Sequence, residues 1–120
     1  MLPLLLYILT QPRIIYIPGP AAIEITAYVT AYSATETARH NPKGLNAMSR
    51  KPQWLDVACP RWLEFGQRVE ILGYEFTCRD RYALWLDTER DLPTFDIFST
   101  DYQSAIDWGK QKMKVKIIKQ

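Results

Sequence analysis

The 120-residue chain has one histidine, His40, and two cysteines, Cys59 and Cys78. A zinc site takes about four nitrogen or sulfur ligands, so no metal centre is expected, and no motif asks for a cofactor. The cysteines do not form a CxxC redox pair. They are either two buried thiols or one disulfide, and a bridge across a loop of this size stabilises a domain by about 3 kcal/mol where the compartment is oxidising. Charge of one sign is also lacking: fifteen Lys and Arg stand against thirteen Asp and Glu, a net +2, with the two signs interleaved. No basic surface is large enough to neutralise a run of phosphates, which excludes nucleic acid as the expected partner. Phosphate-cradling glycine loops and serine nucleophile motifs are absent. Long apolar runs are missing as well. Leu2 to Leu9 and Ile14 to Ile17 are apolar, but Pro3, Gln11, Pro12, Arg13 and Pro18 interrupt the roughly 20 residues that a transmembrane helix needs. The segment lacks the basic start of a signal peptide, although Ala21 and Ala22 follow Pro18-Gly19-Pro20 in the manner of a cleavage region. Residues 1–22 therefore read as an apolar arm or degenerate signal segment, and residues 23–120 as one domain.

What is present suits a small packed domain: 48% of residues are apolar, 12% aromatic and 23% charged, too hydrophobic for a disordered chain. Ile23 to Ser33 is rich in β-branched and aromatic residues and partly alternates, which predicts a strand with one face buried. Ala34 to Pro52 has no periodicity and reads as a long polar loop, a lid or rim by its length. Leu55 to Cys59 predicts a short strand stopped by Pro60, with a turn to Gly66. Gln67 to Leu72 and Tyr74 to Arg79 predict a hairpin about Gly73. Arg79 to Pro93 is charged and loop-like, and Thr94 to Phe98 predicts another strand. One amphipathic helix is expected from Thr100, capped by its hydroxyl in a Thr-x-x-Gln box with Gln103, with Tyr102, Ala105, Ile106, Gly109 and Met113 on one face. Met113 to Lys119 alternates and closes the chain as a strand. Five or six short strands with one late helix predict a mainly β fold, a small barrel.

Two aspartates could carry chemistry. In Phe95-Asp96-Ile97 the strand alternation sends Asp96 to the face opposite its neighbours. There it is either a solvated surface residue or a groove residue whose pKa is raised far enough to hold a proton near neutrality. Asp80 directly follows a strand and is either paired with an adjacent arginine or the second member of a carboxylate pair, the equipment of glycoside cleavage. Neither is followed by the glycine of an aspartic-protease loop. Tyr28, Tyr32, Trp54, Trp62, Trp85 and Trp108 are core residues or flat faces for sugar rings. His40, with no serine or cysteine partner in sequence, reads as a loop residue.

Six segments occur in an order and spacing that carry a resemblance: Val29-Thr30-Ala31-Tyr32-Ser33, Val57-Ala58-Cys59-Pro60-Arg61-Trp62-Leu63, Phe65-Gly66-Gln67-Arg68-Val69, Arg79-Asp80-Arg81, Phe95-Asp96-Ile97 and Ala105-Ile106-Asp107-Trp108-Gly109. Together they resemble the three-aspartate (3D) domain family, which includes the catalytic core of a membrane-bound lytic transglycosylase; the match runs from about Thr26 to Ile118. The resemblance implies a double-psi β-barrel with one amphipathic helix near the C-terminus. It also implies cleavage of the β-1,4 bond between N-acetylmuramic acid and N-acetylglucosamine of peptidoglycan, giving a 1,6-anhydro product. Asp96 matches the family's acid/base and Asp80 its supporting aspartate; Thr30, Tyr32, Ser33 and Arg81 would contact the sugar. The expected partner is the peptidoglycan glycan strand, bound by a monomer. The expected place is the cell envelope if the chain is exported, or the cytoplasm until lysis if it is phage-encoded. Three features depart from the family pattern: Cys59 stands where the first aspartate belongs, Asn46-Ala47-Met48-Ser49 replaces a Thr-Ala-Ser/Thr-Gly segment, and the longer stretch from Asp80 to Asp96 has Arg81-Tyr82-Ala83-Leu84-Trp85-Leu86 in place of Gly-Gly and Lys-Gly elements. The other reading is a barrel that binds peptidoglycan, or a partner in the envelope or phage particle, without cleaving it.

Overall fold

A computed structural model of the chain describes residues 22–40 and 43–119, the side chains of 38–40 excepted. The expected apolar arm, up to residue 21, and the His40 side chain lie outside the described residues. Six strands carry the fold: β1 (Ala22–Tyr32), β2 (Asp56–Ala58), β3 (Arg68–Ile71), β4 (Tyr74–Asp80), β5 (Thr94–Phe98) and β6 (Gln111–Ile118). Three short helices, α1 (Ala34–His40), α2 (Trp85–Glu89) and α3 (Tyr102–Trp108), lie between them. The hydrogen-bonded neighbours run β1, β5, β2, β4, β3, β6 and return to β1, so the sheet closes into a ring. Pairs β1–β5 and β2–β4 are parallel and the other four antiparallel. No helix among the described residues is long and apolar enough to cross a membrane.

Alternation decides what fills the ring. Ala27, Val29, Val57, Val69, Ile71, Phe76, Phe95, Ile97 and Val115 are all fully buried and pack into one core with Leu63 and Trp108. Burying each larger side chain contributes roughly 1.5–3 kcal/mol. The opposite face of β1, β2 and β5 carries a second, smaller apolar cluster of Tyr32, Ala58, Tyr82 and Phe98. The β3–β4 hairpin turns on Leu72 and Gly73, with φ of 55° and 80°. A left-handed residue at both central positions matches the strand twist, and the leucine side chain offsets its unfavourable φ by packing against the core.

Three local expectations are corrected. The stretch after Ser33 opens with helix α1 rather than a loop: the Ser33 N–H donates to Glu36 Oε2 at 3.3 Å, half of a Ser-x-x-Glu capping box that an apolar-periodicity reading passes over. A second helix, α2, interrupts the charged 79–93 stretch, so the late helix is not the sole one. That late helix, α3, is capped by Asp101 rather than Thr100, the carboxylate accepting from Gln103 N at 3.2 Å. Its buried face is Ser104, Ala105 and Trp108, while Ile106 is 49% exposed. The indole sets this orientation, since its N–H needs an acceptor once buried and finds Val29 O at 2.9 Å.

Candidate active site

The strand registers place four residues in one row across four neighbouring strands. Asp80 pairs with Ala58, Ala58 with Asp96, and Asp96 with Thr30. Directly paired residues share a sheet face, so both aspartates project from the face opposite Phe95 and Ile97. They are two strand spacings apart, about 10 Å between Cα atoms, with only the Ala58 methyl between them.

Strict alternation along β4 would place Asp80 with Phe76 and Cys78, inside the core. It does not point there because the β2–β4 register shifts between Val57 and Ala58, pairing Val57 with Cys78 but Ala58 with Asp80. The extra residue, Arg79, forms a bulge that re-aims the next side chain, as bulges do near functional sites.

Three members of the row, Asp80, Ala58 and Asp96, floor a cleft of about 570 Å³, lined also by α1 (Glu36, Thr37), the 45–47 turn, Tyr32 and the 81–86 segment. That volume lies within the roughly 300–1,000 Å³ of small-ligand sites. Asp80 is 8% exposed and accepts three hydrogen bonds, from Tyr32 Oη at 2.8 Å, Ala47 N at 2.9 Å and Arg81 N at 2.8 Å. Asp96 is half-buried and, among the described residues, accepts one, from Thr30 Oγ1 at 2.8 Å. Burial pushes the Asp96 carboxyl from the ordinary 3.8 up to about 7, the Thr30 hydrogen bond and Arg90 opposing the rise while the charges of Glu36 and Asp80 add to it. Tyr32 is pushed far up, first by burial and then by the adjacent Asp80, and stays a hydrogen-bond donor.

The other expected site residues divide. Tyr32 lines the cleft. Thr30 stands beside Asp96 and acts on its carboxyl. The Ser33 hydroxyl is buried and has no hydrogen-bond partner among the described residues, so this residue contributes through its main chain at the start of α1. Arg81 lines the cleft, but its guanidinium donates to the carbonyls of Cys59 at 3.2 Å, Pro60 at 3.1 Å and Leu63 at 2.5 Å, and lies 4.4 Å from the Phe65 ring centroid. The guanidinium thereby braces the 59–65 turn from the edge of the cleft. Cys59 and Cys78 are bonded to each other and tie β2 to β4 beside the bulge.

Sequence reading passed over Tyr82 and Leu86 as parts of this cleft, and expected the 34–52 stretch as a lid or rim without singling out Glu36 or the 45–47 turn, which line it. The capping box was the available signal for Glu36. The turn has another: Ser49, at the position where the resembled family has glycine, holds a left-handed φ of 60°, a conformation that glycine adopts without cost. Among the aromatic candidates, Trp54 packs edge-on against Tyr74 and Phe76, Trp108 is buried, and Trp62 and Trp85 are exposed.

Removing the Glu36 charge is expected to lower the Asp96 pKa. In Glu36→Gln the midpoint of the Asp96 carboxyl 13C titration should fall below the wild-type value, and an unchanged midpoint would show that the two carboxyls are not coupled.

No protein-family model matches the chain, and no curated protein matches it.

Proposed function

We propose that this domain cleaves peptidoglycan glycan strands in the manner of a lytic transglycosylase, on a double-psi β-barrel of the three-aspartate type. The observation that carries the reading is a single carboxyl poised near neutrality on the floor of a sugar-sized cleft, with a second carboxylate in the same strand-crossing row. Asp96 starts protonated and gives its proton to the glycosidic oxygen as the bond from the muramic anomeric carbon breaks. The resulting carboxylate takes the proton of the C6 hydroxyl as that oxygen bonds to the same carbon. The acid is regenerated, water takes no part, and the ring closes as a 1,6-anhydride. Asp80, held by three donors, and Glu36 keep negative charge near the oxocarbenium-like centre. Thr30 orients the Asp96 carboxyl toward the cleft, and Tyr32 fixes Asp80.

A second reading, a barrel that holds the glycan without cutting it, is favoured by one observation. Cys59, at the family's first aspartate position, is locked in a disulfide and offers no carboxylate there. Asp56 does not stand in: it is buried, bonds Arg79 Nη1 at 3.0 Å and accepts from Gln53 N at 2.9 Å. Incubation of the protein with purified sacculi, followed by mass spectrometry of the soluble fraction, separates the two. Anhydromuropeptides are expected; sacculi retained on the protein without any soluble product would give the binding reading instead.

A further inference from the structure

The Cys59–Cys78 bridge stands where the β2–β4 pairing is irregular. Val57 pairs with Cys78 and Ala58 with Asp80, so the bridge runs diagonally across the bulge, from the residue after Ala58 to the residue before Arg79. In a flat parallel pair, Cys59 would stand two residues beyond the partner of Cys78. That offset is about 6.6 Å along the strands and about 4.8 Å across them, roughly 8 Å between Cα atoms, beyond the ~7 Å that a disulfide spans. The observed separation is 5.6 Å. Bridge and bulge are therefore linked: the bulged pairing brings the cysteines within reach, and by reciprocity the bridge favours the bulged pairing.

The same pairing decides where Asp80 points. Cys59, which carries one sulfur, also donates from its N–H to Asp80 O at 3.2 Å, so the bridge fixes the residue that holds the main chain of the acid. The cleft works against this placement. Asp80 shares it with Glu36 and Asp96, and the charges of Glu36 and Asp80 both help to push the Asp96 carboxyl up, so the acids repel one another. Of the three donors to the Asp80 carboxylate, Arg81 N belongs to its chain neighbour and moves with it. That leaves Tyr32 Oη and Ala47 N as outside restraints on the side chain. Both cysteines are fully buried, which keeps a dissolved thiol away from the closed bridge.

We propose that the bridge is a redox gate on the cleft: with Cys59 and Cys78 as thiols the end of β4 opens and Asp80 leaves, and formation of the bridge locks Asp80 in place. The oxidant is an external disulfide. One cysteine thiolate attacks it, forming a mixed disulfide and releasing one thiol; the second cysteine thiolate then attacks the protein sulfur and displaces the other half as a second thiol. Two electrons and the two cysteine protons pass to the oxidant. The open form presents its thiols to this exchange and the closed form buries the product, so the gate closes more readily than it reopens. A chain made in a reducing compartment stays idle until it meets an oxidising one. Glycan cleavage as the gated output rests on the function proposed above, whereas the gate itself rests on the strand geometry.

The test compares 13C,15N-labelled oxidised protein with protein reduced by a water-soluble phosphine while unfolded and then refolded in the same reductant. The reduced form is expected to stay folded, with the Val69 and Val115 methyl signals of the core in place. The amides of Ala47 and Arg81 should shift, and the midpoint of the Asp96 carboxyl titration should fall because a neighbouring negative charge has withdrawn. Oxidised Asp80→Asn, which loses that charge without opening the strand, sets the scale toward which the reduced midpoint should move. Adding oxidised glutathione to the folded, reduced protein should restore the oxidised spectrum, and reduction of the folded, oxidised protein by reduced glutathione should be at least ~10-fold slower. Unchanged Ala47 and Arg81 amides with an unchanged Asp96 midpoint would overturn the gate. Loss of all dispersed signals on reduction would overturn it too, by making the bridge a support of the whole domain. On sacculi, release of anhydromuropeptides is expected from the oxidised form alone, and equal release from both forms would overturn the gate. The two proposals stay separable: the spectral changes without release from either form leave the gate standing and remove the cleavage reading.

Discussion

Asp96→Asn is expected to abolish glycan cleavage and, at the same time, to make the protein more stable at alkaline pH. The amide keeps the shape of the side chain and can still accept from the Thr30 hydroxyl, so the cleft should be preserved while the proton donor is lost. General acid–base assistance typically contributes 10²- to 10⁴-fold, and about that loss of anhydromuropeptide release is expected. The stability effect follows from proton linkage. Asp96 titrates near 3.8 when unperturbed and at about 7 in the folded protein, so between those values the folded state retains a proton that the unfolded chain has released. Stability therefore falls as pH rises from about 4 to about 7, by up to about 4 kcal/mol at ~1.4 kcal/mol per pKa unit. The variant escapes that loss. Its melting temperature should match wild type at pH 4 and exceed it by on the order of 10 °C at pH 8. A difference that does not vary with pH would mean that the wild-type carboxyl is not held protonated, and the proposed first step would go with it.

The second large effect concerns the Cys59–Cys78 bridge, which closes a separation of 19 residues. Replacing both by alanine is expected to cost about 3 kcal/mol from the loop alone, with a further loss because both side chains are fully buried in the core. Urea denaturation should show the midpoint falling accordingly. Because the bridge joins β2 to β4 next to the bulge, amide exchange at Ala58, Cys59 and Asp80 should accelerate more than exchange on β3 and β6. Uniform acceleration would place the bridge's contribution in global stability only. Native alkylation gives an independent check: two masked thiols are expected before unfolding and reduction, and two alkylated cysteines in the folded, unreduced protein would exclude the bridge.

The strands were legible because they are short and alternate. Ile23 to Ser33 corresponds to β1, Leu55 to Cys59 to β2, the Gly73 hairpin to β3 and β4, Thr94 to Phe98 to β5, and Met113 to Lys119 to most of β6. Helix α1 was not, since Ala34-Thr35-Glu36-Thr37 buries no apolar stripe and is instead set by a cap at Ser33. The face of Asp96 followed from parity, but its surroundings could not, because what lines that face comes from residues 36–37, 45–47 and 80–86, which carry no periodic signal. Arg81 shows a different limit: a basic residue beside a catalytic candidate suggests a ligand contact, and only the path of the 59–65 turn reveals three carbonyls waiting for it. Asn46 belongs with it, its role in the turn depending on an amide oxygen that accepts from the main chain two and four residues on.

The bulge at Arg79 makes the site depend on a count as much as on chemistry. Many side chains could occupy that position without altering which way its successor faces, whereas straightening the strand with both residues kept would turn a carboxylate into an oily interior and leave the cleft one acid short. Tolerance at this point of the chain is thus lopsided: generous toward changes of spelling, and strict toward any change that flattens the bulge.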